Sequence, residues 1–199
     1  MFAIGHFAIG YLFGKAATRG LHVQLNMPLL LVASIIPDVD LLLRFVAHRG
    51  PTHSLFAIIV LTAPFLMMYR KAAVPYFVAL LSHSLIGDFF TGGTQLFWPL
   101  SREWVGALDI SVMSMTNVLL ELGLFFVAMA VMLRLGDLRK IVKDKYRIAL
   151  VLPFGAVLGP LLGIGRGIEY GIPLLLVIPS LFFLAIFVYS FVVDFSRKR

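Results

Sequence analysis

The chain contains no cysteine, which excludes disulfide frameworks and thiolate metal sites; any metal must be held by oxygen and imidazole. Charge is scarce as well, at 14% of 199 residues, with ten acids and five histidines. No Lys or Arg precedes the first apolar stretch and His6 lies inside it, so Met1 to Gly14 does not read as a cleaved signal peptide. There is no internal repeat of the kind that marks many transporters.

What fills the chain is apolar sequence, at 60% of residues. That composition implies a single integral membrane domain over residues 1–199, all-α, a polytopic membrane helical bundle with about five to seven transmembrane helices of roughly 20 residues each. The clearest spans are Leu55 to Tyr69, Ala73 to Phe90, Val118 to Leu133, Ile148 to Ile164 and Ile172 to Val193. Two weaker ones, Phe2 to Ala17 and Met27 to Leu43, are interrupted by polar groups and could cross, tilt or re-enter.

Laid end to end as seven spans, these segments sort the basic residues. Lys15, Arg19, Arg70, Lys71, Arg134, Arg139, Lys140, Lys143, Lys145, Arg147, Arg197, Lys198 and Arg199 fall on one side, against Arg44, Arg49, Arg102 and Arg166 on the other. The basic side is expected in the cytoplasm. The net charge of +7 then reads as a topological anchor, not as a nucleic-acid surface.

Most of the histidines and several of the acids meet on the opposite, extracytoplasmic face. His6 starts the first helix, Asp38 and Asp40 close the second, His48 and His53 flank the next turn, and His83 and Asp88 end the fourth. Ionisable groups are costly in lipid and are retained there mainly for function, so convergence at one depth points to a metal site. In Pro37-Asp-Val-Asp40 the carboxylates would stand about 200° apart on a regular helix, so one site can use both only where the backbone departs from it, as Pro37 allows. In His48-Arg-Gly-Pro-Thr-His53, Gly50 and Pro51 make a turn, Thr52 is placed to cap the next helix, and His53 falls in its first turn, where backbone N–H groups favour anions. His83 and Asp88 are five residues apart, which an ideal helix does not align; Gly87 could permit a local bulge. Glu121 is a weaker candidate for the same cavity, and Arg44 and Arg49 could add positive charge, although Arg44 also reads as snorkelling to the headgroups. Trp98 and Trp104 read as interfacial anchors, and the Gly10/Gly14 pair as a helix-packing face within the chain.

Taken in order, Gly5-His6 with Gly10, Pro37-Asp-Val-Asp40, His48-Arg-Gly-Pro-Thr-His53-Ser, Ser82-His83 with Asp88, and Leu96-Phe-Trp-Pro99 resemble the YdjM-like membrane-bound metal-dependent hydrolases, themselves distantly similar to the zinc phospholipase C superfamily. The resemblance covers roughly residues 1–100, a metal-site half, and leaves 101–199 as supporting helices. It implies metal binding through His6, Asp38, His53, His83 and Asp88, with a His83 to Asp88 spacing of one helical turn where this chain has five residues.

Without thiolates, such a donor set suits zinc, one or two ions, while manganese and magnesium suit more carboxylate-rich arrangements. Asp40 is the candidate general base, with His48 and Arg49 completing the candidate catalytic group. The expected activity is hydrolysis of a phosphoester, with membrane lipids, a phospholipid among them, as partners. The competing class is an ion or proton-coupled transporter using the same cluster; an oxygen-activating di-iron enzyme ranks behind both because it needs more histidines.

Overall fold

A computed structural model describes residues 1–43, 45–164 and 171–196. Arg44, Arg166, Arg197, Lys198 and Arg199, which entered the charge argument, lie outside the described residues.

Helix α1, Ala3–Leu21, is the axis of the bundle. Its first half is buried around Phe7 and Tyr11, and it packs on α2 (Met27–Ile35), α4 (Val74–Ser82) and α5 (Met115–Leu135). Close approach is built into the sequence: a Cβ at Gly10 would lie 2.0 Å from Ser34 Oγ and 2.6 Å from Ser34 Cβ, and one at Gly14 would lie 2.6 Å from Leu30 Cδ1. The pair therefore packs inside the chain.

Polar residues set the helix ends. Asn26 accepts a hydrogen bond from the Leu29 N–H at the start of α2, and Ser114 accepts from Asn117 N–H at the start of α5. Pro37 stops α2, and the chain continues as a 3-10 stretch, Ile36–Leu42. Helix α3, Leu55–Tyr69, begins after Ser54, whose side chain accepts from Ala57 N–H. Helix α4 passes directly into a π-helical turn, His83–Asp88. Residues 89–114 form a loop tied by two isolated antiparallel bridges, Thr91 to Asp109 and Thr94 to Val105. The short α6 (Lys140–Lys143), then α7 (Val151–Leu161) and α8 (Leu174–Ser196), complete the bundle.

Among the described residues, three helical stretches are long and apolar enough to cross a membrane: Leu55–Ala72, Met115–Leu135 and Leu174–Ser196. This corrects the expected five to seven. The reason is local. Nine-residue helices such as α2 and α4 rise about 14 Å, half of a hydrocarbon core, because Pro37 ends one and the π-helical turn ends the other. In α1 the glycines, His6, Lys15, Thr18 and Arg19 dilute the apolar run, and much of the Ile148 to Ile164 stretch is an eleven-residue α7. Most of α2 and the first half of α1 are buried in the core.

At the far end of α1 from His6, Lys15 Nζ lies 2.5 Å and Lys140 Nζ 2.7 Å from the Asp137 carboxylate, and Tyr11 donates to it at 3.1 Å. Burial alone would raise Asp137; the two ammonium groups outweigh it and hold the carboxyl below its ordinary range. Its contribution to stability is present at neutral pH and is lost as pH falls through that lowered value.

Gly10→Ala tests the α1/α2 contact. Overpacking should cost about 1–3 kcal/mol despite the gain in helix propensity, seen as a lower thermal midpoint in detergent. Gly20→Ala, where a Cβ meets nothing within 4 Å, should not lower it.

Candidate metal centre

The local breaks in α2 and α4 create the site. Because α2 ends near Pro37, the carbonyls of its last turn have no helical partner, and that of Ser34 accepts a 2.7 Å hydrogen bond from His83 Nδ1–H. This fixes the His83 tautomer and turns its bare Nε2 inward. Five residues on, the i to i+5 register of the π-helical turn returns Asp88 to the same side, with Oδ2 3.2 Å from His83 Nε2.

His53 enters from the 3-10 turn Pro51–His53, immediately before α3 and not in its first turn; the cap of α3 is Ser54, not Thr52. Thr52 has another task. His53 Nδ1–H donates to Thr52 Oγ1 at 3.0 Å, whose hydroxyl donates to Asp40 Oδ2 at 2.7 Å, and that carboxylate oxygen itself lies 3.3 Å from Nδ1. The opposite ring nitrogen, Nε2, faces His83 Nε2 at 3.1 Å, Asp88 Oδ2 at 3.2 Å and Asp38 Oδ1 at 3.5 Å. Asp38 Oδ1 is also 3.4 Å from His83 Nε2.

Asp38, His53, His83 and Asp88 thus direct four ligand atoms at one point, all within 4.8 Å of one another. Zinc bonds of about 2.0–2.2 Å imply a tetrahedron with edges of about 3.3–3.6 Å. Five of the six distances among these atoms run from 3.1 to 3.5 Å, and the sixth, between the Asp38 and Asp88 oxygens, is within 4.8 Å. With both Nδ1–H groups committed elsewhere, two imidazole lone pairs face each other and two carboxylate oxygens. That grouping is repulsive until positive charge, a proton or a metal ion, stands among them. The residues fit a divalent metal.

Around this group the other candidates take distinct places. Asp40 is fully buried behind His53, where it accepts from Arg49 N–H at 3.1 Å and His48 Nδ1 lies 2.9 Å from its Oδ1. Asp40, His48 and His53 form a second group with metal-ligand spacing, but Asp40 lies on the Nδ1 edge of His53, away from the four-atom group. Arg49 has its guanidinium engaged: Nη2 lies 3.0 Å from Asp88 Oδ1, and Nη1 donates to the Thr91 carbonyl. The Met1 amino nitrogen shares Asp88 Oδ1, at 3.2 Å. His6 reaches the site without joining the four-atom group; it stacks on His83 at 3.7 Å between centroids, its Nε2 is 3.6 Å from Asp88 Oδ1, and neither ring nitrogen has a hydrogen-bond partner. Gly87 makes room for it, since a Cβ there would lie 2.5 Å from His6 Cε1.

Glu121 is used elsewhere. Its carboxylate accepts from Phe2 N–H at 2.9 Å, Gly5 N–H at 3.2 Å and Asn117 Nδ2 at 2.7 Å, so an acid of α5 satisfies the first N–H groups of α1. Ser34 and Thr91 were not visible as site residues, because a main-chain carbonyl leaves no mark on composition and Thr91 belongs to a loop that only the fold brings to Arg49.

The sequence profile of the YdjM inner membrane protein family matches residues 1–191. The chain belongs to that family. For this YdjM family member the match extends well past the roughly one hundred residues that carry the motifs, and it accords with the three membrane-length helices in making the chain an integral, multi-pass membrane protein. No curated protein and no solved structure matches the chain.

Substituting Asp40→Asn should weaken metal binding about 10- to 100-fold by loosening the orientation of His53. A competition titration against a chelator reads this directly, and Glu121→Gln should leave the affinity unchanged.

Proposed function

We propose that the chain is a membrane-embedded, metal-dependent hydrolase that cleaves a phosphoester of a lipid or lipid-linked phosphate, with its site open to the extracytoplasmic face. One observation carries the reading: four buried or nearly buried ligand atoms, two imidazole and two carboxylate, converge where only a cation can reconcile them.

Two imidazoles with two carboxylates suit zinc, whereas magnesium and manganese favour a richer oxygen shell. A zinc ion held there supplies Lewis acidity toward a phosphoryl oxygen and lowers the pKa of water from about 15.7 to about 7. The chain's own residues divide the remaining work. His53 and His83 hold the ion with tautomers fixed by Thr52 and by the Ser34 carbonyl. Arg49 holds Asp88 Oδ1, leaving Oδ2 turned to the ligand group. Asp38, with 14% of its side chain exposed, is the ligand on the open side, while His48, 32% exposed, pairs with Asp40 on the far edge of His53. In this reading Asp40 is a positioning residue that acts through His53, not the general base. The buried surroundings exclude bulk water from all but the Asp38 edge. The orientation rests on the separation of this site from the Lys-rich end of α1.

The test is metal analysis of the purified protein together with phosphoester and phospholipid turnover. We expect stoichiometric metal that is lost in His53→Ala, with turnover falling in parallel, and release of metal on acidification as the ligands protonate. Protein that carries no metal after purification in its presence would sink the reading. Metal without turnover, accompanied by ion flux in liposomes, would replace it with a transporter.

A further inference from the structure

The end of the molecule that carries the four-atom group is rimmed by exposed apolar side chains. Leu42 is 73% exposed and Phe45 86% on one side, and Phe97, Leu100 (94%) and Trp104 are exposed on the other. A water-facing loop rarely presents a patch of this kind. The two stretches are joined: Gln95 N–H donates to the Arg49 carbonyl at 2.9 Å, Leu55 N–H donates to the Leu96 carbonyl at 3.0 Å, and Phe56 packs edge-on against Trp98. Leu55 and Met115 begin two of the three membrane-length helices, so the rim stands at the level where those helices enter the bilayer. Asp38, the partly exposed member of the four-atom group, lies in the same 3-10 stretch, Ile36–Leu42, that carries Leu42.

We propose that this rim is seated in lipid at the boundary between headgroups and acyl chains, and that it binds the apolar chain of a membrane lipid beside the metal group. Aliphatic and aromatic side chains in that position bury themselves among acyl chains, while Trp98 and Trp104 take the headgroup level. Resting on the hydrolase reading, the consequence for substrate is that the phosphoester arrives from within the leaflet: its phosphate lies at the level of Asp38 while its hydrocarbon chain lies against Leu42, Phe45 and Leu100.

The chain has only two tryptophans and both lie in this rim, so intrinsic fluorescence reports on it alone. In proteoliposomes, lipids brominated high on the acyl chain should quench that fluorescence by about half, and aqueous iodide should quench it little. The pair Phe45→Asp and Leu100→Asp should reverse the pattern. Strong iodide quenching with no effect of brominated lipid in the unmodified protein would overturn the proposal. The measurement needs no turnover, so it stands or falls separately from the hydrolase reading. Where turnover is measured, a lipid-anchored phosphoester should be preferred over a short-chain soluble analogue, and the double variant should lose that preference. Equal turnover of both by the unmodified protein would refute delivery from the leaflet.

Discussion

The site depends on one imidazole held by both of its nitrogens. Asp38 Oδ1 lies 3.5 Å from His53 Nε2, and Asp40 Oδ2 lies 3.3 Å from His53 Nδ1, so two carboxylates separated by a single valine grip opposite edges of the same ring. A regular helix could not do this with residues two apart, and the 3-10 stretch after Pro37 is what permits it. The consequence is a division of labour. Asp40, the fully buried carboxylate, is linked through Thr52 and sets the tautomer; Asp38 shares the point at which Nε2 is aimed. A ligating histidine backed by a carboxylate is the usual way a protein fixes the orientation and basicity of a metal ligand.

The same economy of irregularity recurs on the facing helix. A straight α4 would carry His83 and Asp88 to different faces, whereas the π-helical turn restores them to one. The residue that sits within this turn, Gly87, also leaves the space that the His6 ring occupies. His6 in turn depends on where α1 begins, and that point is held by Glu121 reaching from α5 to the N–H groups of Phe2 and Gly5. An acid that satisfies buried backbone donors thus indirectly sets the height at which an imidazole stacks on a ligand. Each break in regular structure would cost stability in a plain bundle, and each here is met by a polar partner.

Much of this was legible in the order of residues. The membrane class followed from composition; placing sparse ionisable groups on apolar segments brought His6, Asp38, Asp40, His48, His53, His83 and Asp88 toward one face, but did not show which four of them share one point. The number of spans did not follow, because hydropathy cannot distinguish a short apolar helix buried by neighbours from one facing lipid. Helix α2 is of the first kind, and α4 turns one face inward in the same way. The roles of Asp40, Thr52 and Arg49 were also hidden, since a residue's type shows that it can bond, not which edge of a ring it will meet. Glu121 shows the same limit from the other direction: an intramembrane acid invites a ligand role, yet backbone N–H groups take up its carboxylate.

The distribution of charge along α1 ties the site to the membrane. At one end four ligand atoms face one another with the spacing of a metal site; at the other, Lys15 and Lys140 converge on a buried Asp137 that Tyr11 also bonds. The two clusters are separated by the apolar core around Phe7, Leu30 and Phe187. Charge in such a bundle is tolerated only near its ends, where each group can find either a partner or the interface. The basic end has its partners within the chain. At the opposite end Arg49 and the Met1 amino group meet only Oδ1 of Asp88, while its Oδ2, the Asp38 carboxylate and the two imidazole Nε2 atoms face one another, an arrangement able to hold a divalent cation.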